Sequence, residues 1–412
     1  MSTVSAHDLR VPLRHRNFRN LAAGRLLMYF ANAMAPIVLA FAVLDLTGST
    51  TDLGLVVGTR SVANVTLLLL GGVIADRLSR TLVLEGSAVA ACVAQGLIAV
   101  GVLLGHTSIP MLMVLSLING AVSAMSLPAS AALTPQTVPA ELLRPANAVM
   151  RMGVNTGMIG GSSLGGVLVA AFGPGWGLAC NAVAFLAAAV FFFGVRVDDS
   201  ATERAETPHV LRELREGWRE FTSRAWVWVV TLQFMVVNAA VAGGVLVLGP
   251  VVADETIGRS AWGFVLGAQM LGALVGGFVA ARMRTRRALF LGVAVTAFDA
   301  VPLIVLAEAP HVALLSAAMF CNGVALEQFG VAWDLSLQQN IPQDRLARVY
   351  SYDALGSFVA LPVGEVGAGL LAEHVGTHTT LLLAAGVVLV PTVAALAHPQ
   401  VRHLTVKTPA AA

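Results

Sequence analysis

Asp299, Glu327 and Glu365 each stand inside a long run of apolar residues. A carboxylate in such a run is expensive to keep there, and it marks an ion or proton path by default. Exchanging a proton is the chemistry it can do. Glu327 is followed by Gln328, and amides, rings and thioethers recur in other apolar runs: Tyr29, Asn32 and Met34, Asn119 and Met125, Gln233, Phe234 and Asn238, then Trp333. Such a lining suits a large amphipathic small molecule, held by contact area with few fixed polar contacts. Asp334 and Asp353 lie closer in sequence to basic residues and are expected to pair with Arg345 or Arg348. Asp45 is expected to be solvated, and Arg60 to take Asp45 or Asp52 as its partner.

Other chemistries find no support. His374 and His378 are four apart beside Glu373, a spacing that can bind metal on a helix, but Gly376 falls between them and no metal site is expected. Cys92, Cys180 and Cys321 are too few and too far apart for a disulfide framework or a metal site, and no cofactor is expected. The chain has no Gly-x4-Gly-Lys-Ser/Thr phosphate loop, so it does not hydrolyse ATP itself. Energy must come from an ion gradient or from the substrate's own.

The elements that position these groups follow from composition. Hydrophobic residues make up 57% of the 412 and charged residues 12%, about half the charge a soluble domain carries. Too few charges remain to cover a surface in water, so the solvent is a lipid bilayer; disorder and a nucleic-acid partner are excluded on the same numbers. A crossing helix needs about 20 apolar residues. That ruler finds runs near 21–44, 53–75, 82–104, 109–132, 149–171, 176–195, 225–252, 262–281, 287–307, 311–334, 350–372 and 379–397, numbered spans 1 to 12. An even number leaves both termini on one side. Arginines crowd the ends that include Arg10 to Arg19, Arg77, Arg80, Arg144 and Arg282 to Arg287, whereas the opposite loops carry only Arg259 against six acids. The positive-inside bias therefore predicts cytoplasmic termini.

The expected organisation is a cytoplasmic tail 1–20, a six-helix half 21–195, a cytoplasmic linker 196–224, a second half 225–397 and a tail 398–412. In the linker, Leu211, Leu214, Trp218 and Phe221 recur at helical spacing opposite Arg212, Arg215, Arg219 and Glu220, which predicts an amphipathic helix in the membrane interface. The halves resemble each other. A shift of 203 residues pairs Asn119-Gly120 with Asn322-Gly323, Gln136 with Gln339, and Gly153, Gly161 and Gly166 with Gly356, Gly364 and Gly369. The shift maps span 4 onto span 10 and span 5 onto span 11, the organisation of a rocker-type secondary transporter.

Two motifs carry a family resemblance. Gly72-x3-Asp76-Arg77-x-Ser79-Arg80, between spans 2 and 3, resembles Gly-x3-Asp-Arg-x-Gly-Arg-Arg of the major facilitator superfamily, with Ser79 and Thr81 replacing the second Gly and the last Arg. Ala148-x8-Gly157-x3-Gly161-Ser162-x2-Gly165-Gly166 in span 5 resembles the superfamily's antiporter motif, with Ala148 and Ser162 in place of its first Gly and its Pro. Stretches at 16–27, 46–61, 126–148 and 211–226 look like the siderophore-export and macrolide-efflux branch. The resemblance implies an all-α fold of twelve transmembrane helices in two six-helix pseudo-repeat halves. It implies a cytoplasmic gate latched by Asp76 and Arg77, and a kinked, sealing span 5. It also implies a proton-coupled efflux antiporter, working as a monomer in a bacterial inner membrane. An importer, symporter or uniporter of a small metabolite, and a non-transport membrane protein (an embedded enzyme or sensor), are the alternatives; the last lacks the clustered carboxylates such an enzyme would use.

Overall fold

The computed structural model of the chain describes residues 9–75, 79–197, 218–282 and 285–405. Among them, eleven helices are long and apolar enough to cross a membrane, and the 26-residue helix Thr50–Ala75 stands where span 2 is expected. Span 1 is Arg16–Thr47, span 3 Arg80–Leu104, span 4 Ile109–Leu133, span 5 Leu143–Phe172 and span 6 Pro174–Phe193. Spans 8, 10 and 12 are Arg259–Arg282, Val312–Asn340 and Thr377–Ala397. Ser79, the residue that departs from the loop motif, is the N-cap of span 3: its Oγ accepts from Leu82 N at 3.2 Å.

Spans 7, 9 and 11 are interrupted. Span 7 passes from Ala225–Val241 through a π-helical stretch, Ala242–Leu248, into Gly249–Glu255. Span 9 runs Ala288–Val295, then a 3-10 turn Thr296–Asp299, then Ala300–Glu308. Span 11 is Gln343–Phe358 followed by Leu361–Val375. Each interruption lies just before a proline (Pro250, Pro302 or Pro362), whose ring cannot donate to the carbonyl four residues back. Pro36 and Pro391 sit inside unbroken helices, so proline alone does not decide. In span 9 the break is supported by side chains. Thr296 Oγ1 donates to Val293 O at 2.7 Å, and Gln233 Nε2 donates to Thr296 Oγ1 at 3.0 Å and to Thr392 Oγ1 at 3.1 Å.

The chain forms two compact units: Met1–Gly48, Thr59–Arg204 and Arg259–Gly267 in the first, Ser49–Gly58, Ala205–Gly258 and Ala268–Ala412 in the second. The division departs from the expected halves, because the first ten residues at the start of span 2 and the first nine of span 8 each belong to the other unit. Glycine contacts are the reason. Lipid supplies no hydrophobic force between helices, so association depends on close packing of small residues. In the first unit, a Cβ at Gly263 would meet Ser162 O at 2.6 Å, and one at Gly267 would meet Ser163 Oγ at 2.6 Å. In the second, a Cβ at Gly54 would meet Glu365 O at 2.7 Å, and one at Gly58 would meet Val366 Cγ2 at 2.8 Å.

These contacts come in matched pairs. Gly161 lies against Phe30 O as Gly364 lies against Ala239 O, Gly120 against Arg60 O as Gly323 against Gln269 O, and Gly166 against Arg259 O as Gly369 against Thr50 O. Residues of spans 4 and 5 are displaced by 203 from their counterparts in spans 10 and 11. Their partners are displaced by 209 (30 to 239, 60 to 269, 54 to 263, 58 to 267). The second copy of one packing scheme is therefore six residues shorter than the first between its second and fourth spans: Arg60 and Gly120 are 60 apart, Gln269 and Gly323 54. Within the first unit, Phe18, Leu21, Met28, Leu84, Phe185 and Phe192 build the core, and Asn181 Nδ2 ties span 6 to Ala31 O of span 1 at 2.7 Å. The second packs Trp226, Val230, Phe329, Trp333 and Leu337 with Val401 of the helix Pro399–His403. The helix Pro399–His403 of the expected C-terminal tail thus docks, and Gln400 Oε1 accepts from Trp226 N at 3.1 Å.

The matched glycines can be tested together. Gly161→Ala and Gly364→Ala place a methyl against backbone, which costs about 1–3 kcal/mol; Gly86, with nothing within 4 Å, should gain up to about 1 kcal/mol as Ala from helix propensity. Thermal unfolding of purified protein should show both of the first two variants below wild type and Gly86→Ala at or above it.

Candidate functional site

The helix breaks bring polar groups together inside the second unit. Asp299 ends the 3-10 turn of span 9 and is 7% exposed. Its Oδ1 accepts from Asn322 Nδ2 at 2.5 Å, and Asn322 Oδ1 accepts from Gln269 Nε2 at 2.7 Å. Asp299 is thus the buried end of an amide chain through spans 8, 10 and 9. Glu327 is half-buried over the glycine face of span 8: a Cβ at Gly276 would come within 3.0 Å of its Cβ, and one at Gly277 within 3.6 Å of its Oε1. Gln328 Nε2 donates to Gly276 O at 2.9 Å. Glu365 is 1% exposed at the position that Ser162 holds in the first unit, packed on the start of span 2.

The expected cavity residues separate into groups. In the first unit Asn32 and Asn119 border a cavity of about 10 Å³, with Ser87, Ser123 and Ser126, which is about the room one water needs. Ser123 Oγ donates to Asn32 Oδ1 at 3.4 Å. Tyr29 and Met125 are half-buried against the core of that unit. Met34 is fully buried, with Gly165 packed on its side chain. Gln233 is likewise 2% exposed, its amide committed to Thr296 and Thr392. Asn238 Nδ2 donates to Ser357 O at 3.0 Å, across to span 11.

Phe234 and Trp333 border the larger cavity, about 160 Å³, in the second unit, where Phe329, Tyr350, Phe358 and Asp353 join them. Phe234 stacks on Phe329 with centroids 4.5 Å apart, and Phe329 stacks on Trp333 at 6.2 Å. Asp353, expected to pair with arginine, takes its bonds from neutral donors instead. Trp333 Nε1 donates to Oδ2 at 2.9 Å, Thr231 Oγ1 to Oδ1 at 2.9 Å and Ser357 Oγ to Oδ1 at 3.4 Å. Asp334 accepts from Tyr350 Oη at 2.9 Å. The sequence signals for this site are Phe329 and Trp333 four apart and Asp353-Ala354-x2-Ser357-Phe358 one turn long, both at helical spacing.

The motif residues also find places. Gly72 lies in span 2 and Arg80 begins span 3, half-buried; Asp76 and Arg77 lie outside the described residues. In span 5, Gly157, Gly161 and Gly165 face Leu26, Phe30 and Met34 of span 1, while Gly166 meets Arg259 O at 2.7 Å. The helix is continuous through Ser162, whose Oγ donates to Met158 O at 3.0 Å, so the hydrogen-bonded helix is not interrupted there. Asp45 is not merely solvated: Arg259 binds it through Nη1 at 2.9 Å and Nη2 at 2.5 Å, with its guanidinium over the Phe41 ring. His378 Nε2 lies 3.0 Å from Glu308, whereas His374 Nδ1 is 2.8 Å from Leu370 O. Glu373 accepts from Ser49 Oγ at 2.7 Å and Thr51 N at 3.2 Å, at the N-terminus of span 2.

Of the expected linker helix, residues 218–223 are described and helical; Leu211, Arg212, Leu214 and Arg215 lie outside the described residues. Glu220 is not on a solvated face. It is 9% exposed and bonds Arg345 at 2.7 Å and Arg224 at 3.2 Å. Arg345 is therefore engaged by Glu220. The Arg345 guanidinium, with Arg224 adding to it, holds the Glu220 carboxyl below the usual carboxylate range against a smaller effect of burial. A depressed folded-state pKa stabilises the fold above the unfolded pKa of about 4.3, and that contribution is lost as pH falls through the folded value. Melting temperatures of wild type and Glu220→Gln should therefore differ by a constant amount from about pH 5.5 to 7.5 and converge in more acidic buffer; a difference that persists unchanged to low pH would contradict this.

Known proteins share this geometry and parts of this sequence. The family model of the Major Facilitator Superfamily matches residues 21–364. The uncharacterized transporter YvqJ of Bacillus subtilis (strain 168) is 22% identical over 279 residues, 66% of each chain. The multidrug efflux pump Tap of Mycolicibacterium fortuitum is 27% identical over 270 residues, 63% of this chain and 64% of its own. The chain thus spans about two thirds of the length of these curated relatives. Among solved structures, the nucleoside transporter NupG superposes with a TM-score of 0.72 at 15% identity, over 92% of this chain and 98% of its own. A D-xylose–proton symporter does so at 0.67 and 14%, over 97% and 98%. At those identities the structures share the fold alone. The match over most of its length shows that the chain belongs to the Major Facilitator Superfamily of membrane transporters.

Proposed function

We propose that the chain is a proton-driven antiporter that exports an amphipathic small molecule by alternating access. It would act as a monomer in a bacterial inner membrane with both termini cytoplasmic. The observation that carries the reading is the company its intramembrane acids keep. Among the described residues, Asp299 is bonded by an amide and Glu327 lies against glycine backbone. A carboxylate without a countercharge is one that a proton can neutralise, whereas an acid locked to an arginine is spent. Glu365 is the third candidate. The tightly packed glycines of span 5 and the similarity to the efflux pump Tap support export. Proton motive force supplies about 2.3 kcal/mol per charge per 100 mV, enough for uphill transport. Asp76 and Arg77 are assigned the gate latch on their motif.

The unbroken helix through Ser162 favours a second reading, a symporter or importer, since the superfamily's antiporters carry a proline there. Proteoliposomes with an internal pH dye separate the two. Macrolides, siderophores, phenicols and dyes are added to wild type and to Glu327→Gln, Asp299→Asn and Glu365→Gln. Substrate-triggered proton flux opposite in direction to substrate, lost at least tenfold in one of the three variants, is expected. Flux in the same direction as substrate would establish the symporter, and substrate movement without proton flux would sink coupling altogether.

A further inference from the structure

Within the second unit, Asp353 sits at the edge of a cavity whose wall is made of rings. Phe234, Phe329 and Trp333 form a stacked ladder, and Tyr350 and Phe358 complete the enclosure, with Phe358 39% exposed at its rim. The three rings stack on one another, and the indole edge, the positive part of the aromatic quadrupole, is turned to Asp353 through Nε1. Thr231 and Ser357 complete a set of three neutral donors that orient the carboxylate without neutralising it. Among the described residues, neither arginine nor lysine borders the cavity. A half-buried carboxylate beside five rings makes a region of negative potential in a low-dielectric wall.

We propose that this cavity is a binding site for the ammonium head of an organic monocation, either quaternary or a protonated amine with small N-alkyl groups. The proposal deepens the export reading above by naming the substrate's chemical class, and rests on it to that extent. The size fits: about 160 Å³ is close to the roughly 150 Å³ cavity known to take up benzene. That is room for a trimethylammonium or dimethylammonium group, with the ligand's larger apolar part left outside. The recognition pairs one carboxylate, already held by its three donors, with an aromatic wall against which the cation's N-alkyl groups pack. Tyr350 is held in place from outside, since its hydroxyl donates to Asp334 and accepts from Gln338. A primary ammonium, small and strongly hydrated, would give up more water than the rings return.

The test is an equilibrium titration of the full chain in lipid nanodiscs by saturation-transfer NMR, with choline and with its uncharged isostere 3,3-dimethylbutan-1-ol as probes. Wild type should bind choline at least tenfold more tightly than the alcohol. Asp353→Asn keeps one acceptor oxygen for Trp333 Nε1 and turns an NH2 to the Thr231 hydroxyl, which can accept it; it should erase the difference. Phe234→Leu keeps the charge, removes a ring face and should weaken choline several-fold. Equal binding of the two probes, no binding of either, or discrimination that survives Asp353→Asn would each overturn the site. Binding is read without any gradient, so the outcome is separate from transport: proton flux with no choline discrimination sinks the cation site alone. Choline discrimination with no proton flux sinks the antiport reading alone.

Discussion

Contact between helix backbones, with no Cβ between them, is the constraint on which the rest of this structure depends. Two helices in lipid gain nothing by hiding Leu from a solvent as apolar as Leu, so they stay together through close approach and the dispersion contacts it permits. Gly120, Gly161 and Gly166 in the first unit, and Gly323, Gly364 and Gly369 in the second, each lie where a methyl would strike a carbonyl oxygen or its neighbours. Because the approach is to backbone, rotamer changes cannot relieve a larger residue. The same contacts explain the composition of the two units. Gly54 and Gly58 carry the start of span 2 onto span 11, and Gly263 and Gly267 carry the start of span 8 onto span 5.

A second consequence of lipid is that a broken helix must satisfy its freed carbonyls and amides from within the protein. Span 9 shows how. Thr296 returns a bond to Val293 O, Gln233 reaches Thr296 and Thr392, and Asp299 takes the amide of Asn322. The polar cluster that carries the candidate proton site is thus partly the cost of the break before Pro302. Span 11 breaks before Pro362, immediately after Phe358 at the rim of the ring-lined cavity. In both cases chemistry sits where regular backbone stops.

Much of the fold is legible from the sequence, because the hydrocarbon thickness is a ruler for its helices. The twelve expected runs fall on the observed helices, and the shift of 203 pairs glycines that occupy equivalent contacts. Legibility fails where the deciding partner is distant. Proximity along the chain assigns Asp353 to Arg345 or Arg348, but Trp333, twenty residues before it on another helix, and Thr231, on a third, are its donors. Met34 and Gln233 read as cavity residues, yet a helix apolar on every face offers no pattern to tell inside from packed. The breaks escape a sequence reading for a related reason. Pro250, Pro302 and Pro362 look no different in sequence from Pro36 and Pro391, and at Pro302 it is the bonds of Thr296 and Gln233, from distant parts of the chain, that accompany the break.

Span 10 connects the two kinds of acid in the second unit. Asn322 on this helix holds Asp299, Glu327 lies one turn further along, and Phe329 and Trp333 supply the ring wall and the indole bond to Asp353. Asp299 is buried at the end of an amide chain, whereas Asp353 borders a cavity of about 160 Å³. On this geometry a proton and a ligand head would occupy different carboxylates and would not compete for one. Continuity along a helix is not coupling by itself. The bonds at its two ends are short and directional, however, and a slide of one turn, about 5.4 Å, would break the Asn322 and Trp333 bonds together. An element that must make or lose both bonds at once has few intermediate positions. That is the property by which neutralising Asp299 could change the shape of the site around Asp353.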